Sequence, residues 1–136
     1  MIKSVIPDAG PLLVAAGGLT QGAHVASLLT LGAAGVVIGT RFLLSPESSY
    51  TDIQKQALIS ANSTVRSMAF DHVRGTLGWP SGVDGRGLYN LTVEEFENGV
   101  DLEQLKSKYS SDDPSRAVVW SGTGVALMTS IMPAKV

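Results

Sequence analysis

Two short apolar runs near the start of the chain each end in glycine: residues 12–16 before Gly17-Gly18, and residues 35–38 before Gly39-Thr40. The first run is apolar throughout, the pattern of a parallel strand covered on both faces. Between the runs, residues 24–31 carry Val25, Leu28 and Leu29 at helical spacing. Thr20 is a candidate N-cap, and Gly32 a glycine just past the helix end. The pattern predicts strand, helix and strand, with glycine at the C-terminal end of each strand, where α/β folds hold ligands. Ahead of this unit, Ile2, Val5 and Ile6 lead into a turn at Pro7-Asp8-Ala9-Gly10. After it, Ser45-Pro46-Glu47 predicts a helix start, with serine as cap and proline at the first helical position. That helix should run to about residue 62, with Ile53, Ala57, Leu58 and Ala61 on one face.

The second half is patterned differently. Residues 64–70 read as a short strand or an extended arm. Residues 74–90 hold Gly75, Gly78, Pro80, Gly82, Gly85 and Gly87, and such punctuation predicts a long irregular loop carrying Trp79 and Tyr89. Loops of that length in compact domains are functional or dock on a partner. Thr92-Val93-Glu94-Glu95 matches a capping box and predicts a helix over residues 93–109, with Phe96, Val100, Leu102 and Leu105 inward. A polar turn follows at residues 110–115. The last element spans residues 118–131 and opens with Trp120-Ser121-Gly122-Thr123-Gly124.

Composition narrows the class. The 136 residues are 44% hydrophobic and 16% charged, enough for one domain with a core. A net charge of −2 gives no basic footprint for nucleic acid. The absence of cysteine excludes a disulfide framework, a thiolate metal site and a cysteine nucleophile. No apolar run approaches the ~18 residues of a membrane span, and no charged leader opens the chain. A cytoplasmic protein with neither nucleic-acid nor membrane partner is the expectation.

The candidate chemistry sits at the glycines. A phosphate at the end of a parallel strand needs backbone N–H groups free of side-chain obstruction and a helix N-terminus facing the anion. Gly17-Gly18 and Gly39-Thr40 offer both, with the Thr40 hydroxyl as a further donor. Either pair alone reads as a tight turn. Joined by one crossover helix, they form the phosphate-site arrangement of barrel enzymes after strands seven and eight. Elsewhere, Glu94, Glu95 and Glu97 read as a solvated helix start. Asp112-Asp113 lack calcium-loop spacing, and residues 82–87 are no dinucleotide fingerprint. No metal site is expected. Trp79 and Trp120 read as core or docking anchors.

With these motifs in place, the chain resembles a family. Ala15-Ala16-Gly17-Gly18-Leu19, Leu31-Gly32-Ala33 and Val37-Ile38-Gly39-Thr40-Arg41-Phe42 resemble the FMN phosphate-binding end of nitronate monooxygenases, also called 2-nitropropane dioxygenases. Residues 70–80, Asp84-Gly85-Arg86-Gly87 and residues 120–125 resemble the later segments of some members, the last as a closing helix. The resemblance implies a flavoprotein oxidising alkyl nitronates or nitroalkanes with oxygen to carbonyl compounds and nitrite. It implies FMN phosphate contacts at Gly17, Gly18, Val37, Ile38, Gly39 and Thr40, with Arg41 beside the turn in a salt bridge or packing role. It also implies a partial TIM barrel of α/β class. Residues 1–62 would be its last two βα units, and residues 63–136 a loop-and-helix extension of the same domain.

The family's earlier strands, and its catalytic histidine in a Gly-Gly-His-like motif, have no counterpart here. His24 reads as helix surface. His72 adjoins the long loop, and Thr123 stands where many relatives carry glutamine. The expectation is a C-terminal fragment with no catalytic residue of its own, inactive alone, binding FMN and joined by a partner chain or further barrel strands. The alternatives are a non-catalytic remnant serving as an interaction module, or another FMN- or phosphate-binding barrel oxidoreductase. Trp79 is the candidate for stacking on a flavin.

Overall fold

The computed structural model describes residues 10–135, so the apolar positions and most of the turn read over residues 2–10 lie outside it. The first unit is parallel, as its apolar runs dictate. Strand β1 (Val14–Ala16) pairs with β2 (Gly35–Val37) in the register Val14↔Gly35, Ala15↔Val36, Ala16↔Val37. Helix α1 (Gly22–Thr30) makes the crossover, and the short α2 (Thr40–Leu43) follows β2. Gly32, at φ +95°, ends α1 in the left-handed region as expected. Only the paired parts of the runs are regular strand: Leu12, ahead of β1, is 83% exposed.

The next helix starts later than expected. Ser45 is buried rather than capping, and residues 45–50 are turns and bends. Helix α3 (Asp52–Ser60) is capped instead by Thr51, whose hydroxyl accepts from Gln54 N at 3.2 Å while Gln54 Oε1 accepts from Thr51 N at 3.0 Å. This reciprocal box satisfies two otherwise orphaned donors, which a lone serine before proline does not. Of the face expected inward, Leu58 is buried but Ile53 is exposed.

Glycine misled the reading of residues 74–90. Strand β3 (Thr64–Ser67) leads into α4 (Ala69–Arg74), and β4 (Gly85–Leu88) lies inside the expected loop, antiparallel to β3 with Arg66 opposite Arg86. Gly85 and Gly87 are not turning the chain. A Cβ on Gly85 would enter the Trp120 ring at Cζ3 and Cη2, and one on Gly87 would meet Val119 O at 3.2 Å and Phe70 Cε2 at 3.3 Å. Glycine in a strand marks such close approach. Residues 119–121 then run along β4 rather than forming a helix: Leu88 N donates to Val119 O and Ser121 N to Arg86 O. Only a 3-10 turn, Val125–Leu127, remains of the expected closing helix.

The single helix expected over residues 93–109 is two. Asn90, not Thr92, caps α5 (Leu91–Glu97), accepting from Thr92 N and Val93 N, while the Thr92 hydroxyl donates to Arg116 O at 2.7 Å. Gly99 at φ +76° follows the end of α5, and Asp101 caps α6 (Leu102–Lys108). Two buried clusters hold these pieces together. Leu44 and Leu58 from the first half pack with Leu88, Val119, Val125 and Met128 from the second. Ala69, Phe70 and Val93 form the other, with Trp120 against Phe70 edge-to-face at 6.0 Å. Among the described residues no helix is long and apolar enough to cross a membrane.

Glu95 is more than a solvated helix-start acid. It accepts from Arg116 at 3.0 and 3.1 Å and from Lys108 at 3.2 Å. Hydrogen bonds from Arg116 first, then Lys108, hold its carboxyl down at about 2. A depressed folded-state value stabilises the fold at pH above the ordinary carboxylate range and is lost as pH falls. The stability difference between the native chain and Glu95→Gln should therefore shrink as pH drops from about 5 to about 2. Urea midpoints across that range measure it, and a difference that stays constant would contradict the ion-pair account.

Candidate functional site

The two glycine turns and a late segment meet around one cavity of about 200 Å³. Gly17 and Gly18 take φ of +93° and +70°, so the backbone after β1 folds through the left-handed region that glycine occupies without strain. Of the residues singled out in the sequence, Gly17, Gly18, Val37, Gly39 and Thr40 border this cavity; Ile38 does not. Leu19, Thr20, Gly122 and Gly124 border it too, and the sequence reading assigned none of them to the site.

The late segment closes against the turns with almost no clearance. A Cβ on Gly124 would stand 2.5 Å from Gly18 O and 2.7 Å from Thr20 Cγ2, and one on Gly18 would stand 2.9 Å from Thr123 Oγ1. The Gly122-Thr123-Gly124 spacing was the available signal. Across the cavity, Gly122 N donates to Thr40 Oγ1 at 2.8 Å. A hydroxyl that accepts there keeps its own proton to donate elsewhere.

The lining holds no charged side chain. Helix α1 has neither a side-chain cap nor an acidic residue in its first turn, so its positive end is left uncompensated. Thr20 does not cap α1, since its backbone N donates to His24 Nδ1 at 3.2 Å. Among the described residues its hydroxyl oxygen is buried with no partner, the kind of orphan that calls for a ligand. Chemically, such a cavity can hold an anion but has no group to move a proton. His24 is spent on Thr20, and His72 stacks on Phe96 at 5.3 Å; neither borders the cavity. Trp79 lines a different cavity, beside Trp120. Among the described residues Arg41 forms no salt bridge; it donates to Ser130 O at 2.8 Å, fastening that segment near α2. Tyr50 donates to Trp120 O at 3.2 Å, and burial pushes its phenol up.

A family model described as nitronate monooxygenase matches residues 5–136. The chain belongs to the nitronate monooxygenase family. As a member of this oxidoreductase family, it is 38% identical over 127 residues to nitronate monooxygenase npaC of Metarhizium robertsii, covering 90% of this chain and 36% of the relative. It is 37% identical over 131 residues to a nitronate monooxygenase of Neurospora crassa, covering 90% and 35%. This member therefore spans about a third of the length of the curated relatives it matches. Among solved structures, FabK from Thermotoga maritima superposes with a TM-score of 0.65 at 26% identity, over 92% of this chain and 41% of that one. A nitroalkane oxidase from Streptomyces ansochromogenes gives 0.61 at 26% identity, over 84% and 33%. The α/β arrangement described above is thus a portion of a larger family fold.

Proposed function

We propose that this chain supplies the phosphate-holding end of an FMN-dependent nitronate monooxygenase, built from the last two βα units of its barrel and the extension that follows. The observation that carries this reading is the cavity itself: two glycine turns closed by Gly122 and Gly124, with Thr20, whose hydroxyl is buried and unpartnered among the described residues, in its lining. A phosphate group fits that donor set, since its oxygens accept hydrogen bonds and no carboxylate competes. The backbone N–H groups of the turns would hold it, with the hydroxyls of Thr20 and Thr40 donating. When bound, FMN supplies the redox chemistry by which an alkyl nitronate is oxidised with oxygen to a carbonyl compound and nitrite.

The proton-abstracting base and the cover for the flavin ring would come from barrel strands outside the described residues, in the same or a partner chain. The apolar surface left around the parallel pair supports this: Val14 and Val37 are each 57% exposed and Leu31 is 65% exposed. Among the described residues the parallel sheet has two strands, and a pair left with unpaired edges calls for further strands. Proton transfer needs a positioned base, and none of the described residues bordering the cavity supplies one, so the 136-residue chain should release no nitrite from a propyl nitronate.

Titration with FMN and with riboflavin tests the phosphate site directly. The two differ only in the phosphate, and one charge-assisted hydrogen bond should favour FMN by about tenfold or more. Equal affinity for the two flavins, or none for either, would overturn the assignment.

A further inference from the structure

A second cavity, of about 190 Å³, lies between the two tryptophans, lined by Asp71, Trp79, Val83, Asp84, Gly85 and Trp120. It shares no lining residue with the glycine cavity. We propose that it binds a small organic ammonium ion.

Its walls are two indoles of opposite character. Trp120 is fixed: its ring rests on Gly85, lies T-shaped to Phe70 with ring centroids 6.0 Å apart, and its carbonyl is held by Tyr50. Trp79 is 59% exposed, a large aromatic surface that the fold has left at the mouth of the cavity. Indole faces carry the strongest negative quadrupole among side chains and attract cations placed over them.

The two carboxylates differ in a way that sets the charge. Asp84 pairs with Arg66, which also donates to Gly82 O at 3.1 Å and so pins the loop. Asp71 is only 6% exposed, and its side-chain hydrogen bond comes from the neutral Thr76 hydroxyl at 2.7 Å. Among the described residues no ion pair involves Asp71. A nearly buried carboxylate without a cationic partner is costly, and a cation entering the cavity would offset that cost. The remaining walls, Val83, the Gly85 backbone and the indoles, offer no set of oxygens to replace the shell of a hydrated metal ion. They suit a cation clothed in methyl or alkyl groups.

The chain has two tryptophans, and both line this cavity, so intrinsic emission reads it without a label. Choline is the probe, and 3,3-dimethylbutan-1-ol is its neutral counterpart of the same shape. Choline should produce a saturable emission change, with the alcohol weaker by about tenfold or more. Asp71→Asn keeps an acceptor for Thr76 and should abolish that preference. Trp79→Leu alters an exposed side chain, should keep the native far-ultraviolet spectrum, and should weaken choline binding as read by Trp120. Equal responses to choline and the alcohol, no response to either, or unchanged choline affinity in a folded Trp79→Leu chain would each overturn the proposal.

Discussion

Phe70→Ala should cost about 3–5 kcal/mol of folding stability, the cost of emptying a fully buried aromatic site. Phe70 is 1% exposed and sits where α4, β4 and the segment through Trp120 converge. It meets Val93 in the core, lies 3.3 Å from the position a Cβ on Gly87 would take, and packs T-shaped against Trp120. That aromatic contact adds about 0.5–1.5 kcal/mol beyond burial. The site is walled by strand backbone and a pinned indole, so it cannot collapse to fill the gap. Against a typical total of about 5–15 kcal/mol, the variant should be marginal. Urea unfolding followed by tryptophan emission measures it. Phe42→Ala is the comparison: Phe42 is 48% exposed, and its loss should change stability by about 0.5 kcal/mol or less. Similar midpoints for the two variants would mean that Phe70 does not anchor the second core.

Gly124→Ala should remove the preference for FMN over riboflavin and destabilise the chain by about 1–3 kcal/mol. The added methyl would stand 2.5 Å from Gly18 O, a backbone atom in the first glycine turn. A side chain could swing aside, but this carbonyl cannot move without changing the left-handed pair at Gly17 and Gly18. The late segment must then lift from the turn, which takes Gly122 from Thr40 and opens the cavity wall. Gly22→Ala is the control, since nothing lies within 4 Å of its Cβ position. It should leave flavin discrimination intact. A Gly124→Ala chain that still prefers FMN like the native one would remove the steric argument for the cavity.

The parallel unit was legible because its signals are local. An all-apolar run, a glycine turn and a 3.6-residue spacing each follow from a few adjacent residues, and Gly32 performs the task its position announces. The same residue type misled where its reason is distant. Gly85 and Gly87 read as loop punctuation, yet they are strand positions that the Trp120 ring covers, a neighbour some 35 residues away in sequence. Thr92 matched a capping pattern but lost to Asn90, a stronger cap two residues earlier, once Arg116 O claimed its hydroxyl. Gly99 broke a helix that apolar spacing alone would have continued. For the site, the turns were legible and their lid was not. The residues that close the cavity, Gly122 and Gly124, come from the far end of the chain, and only tertiary packing brings them to Gly18 and Thr40.

The hydrogen bond from Gly122 N to Thr40 Oγ1 spans 82 residues. Closing a loop of that size carries an entropic cost of about 4 kcal/mol, so this contact forms only after intervening structure has brought its ends together. Synthesis delivers the glycine turns before their cover. A nascent chain that has not yet emitted residue 122 has the turns and no enclosed cavity. An anion selective for the closed form binds only molecules whose two ends have met, and it shifts the folding equilibrium toward them by mass action. Occupancy of the cavity is therefore a signal of completed folding, and ligand supplied during refolding should raise yield at the final step rather than the first.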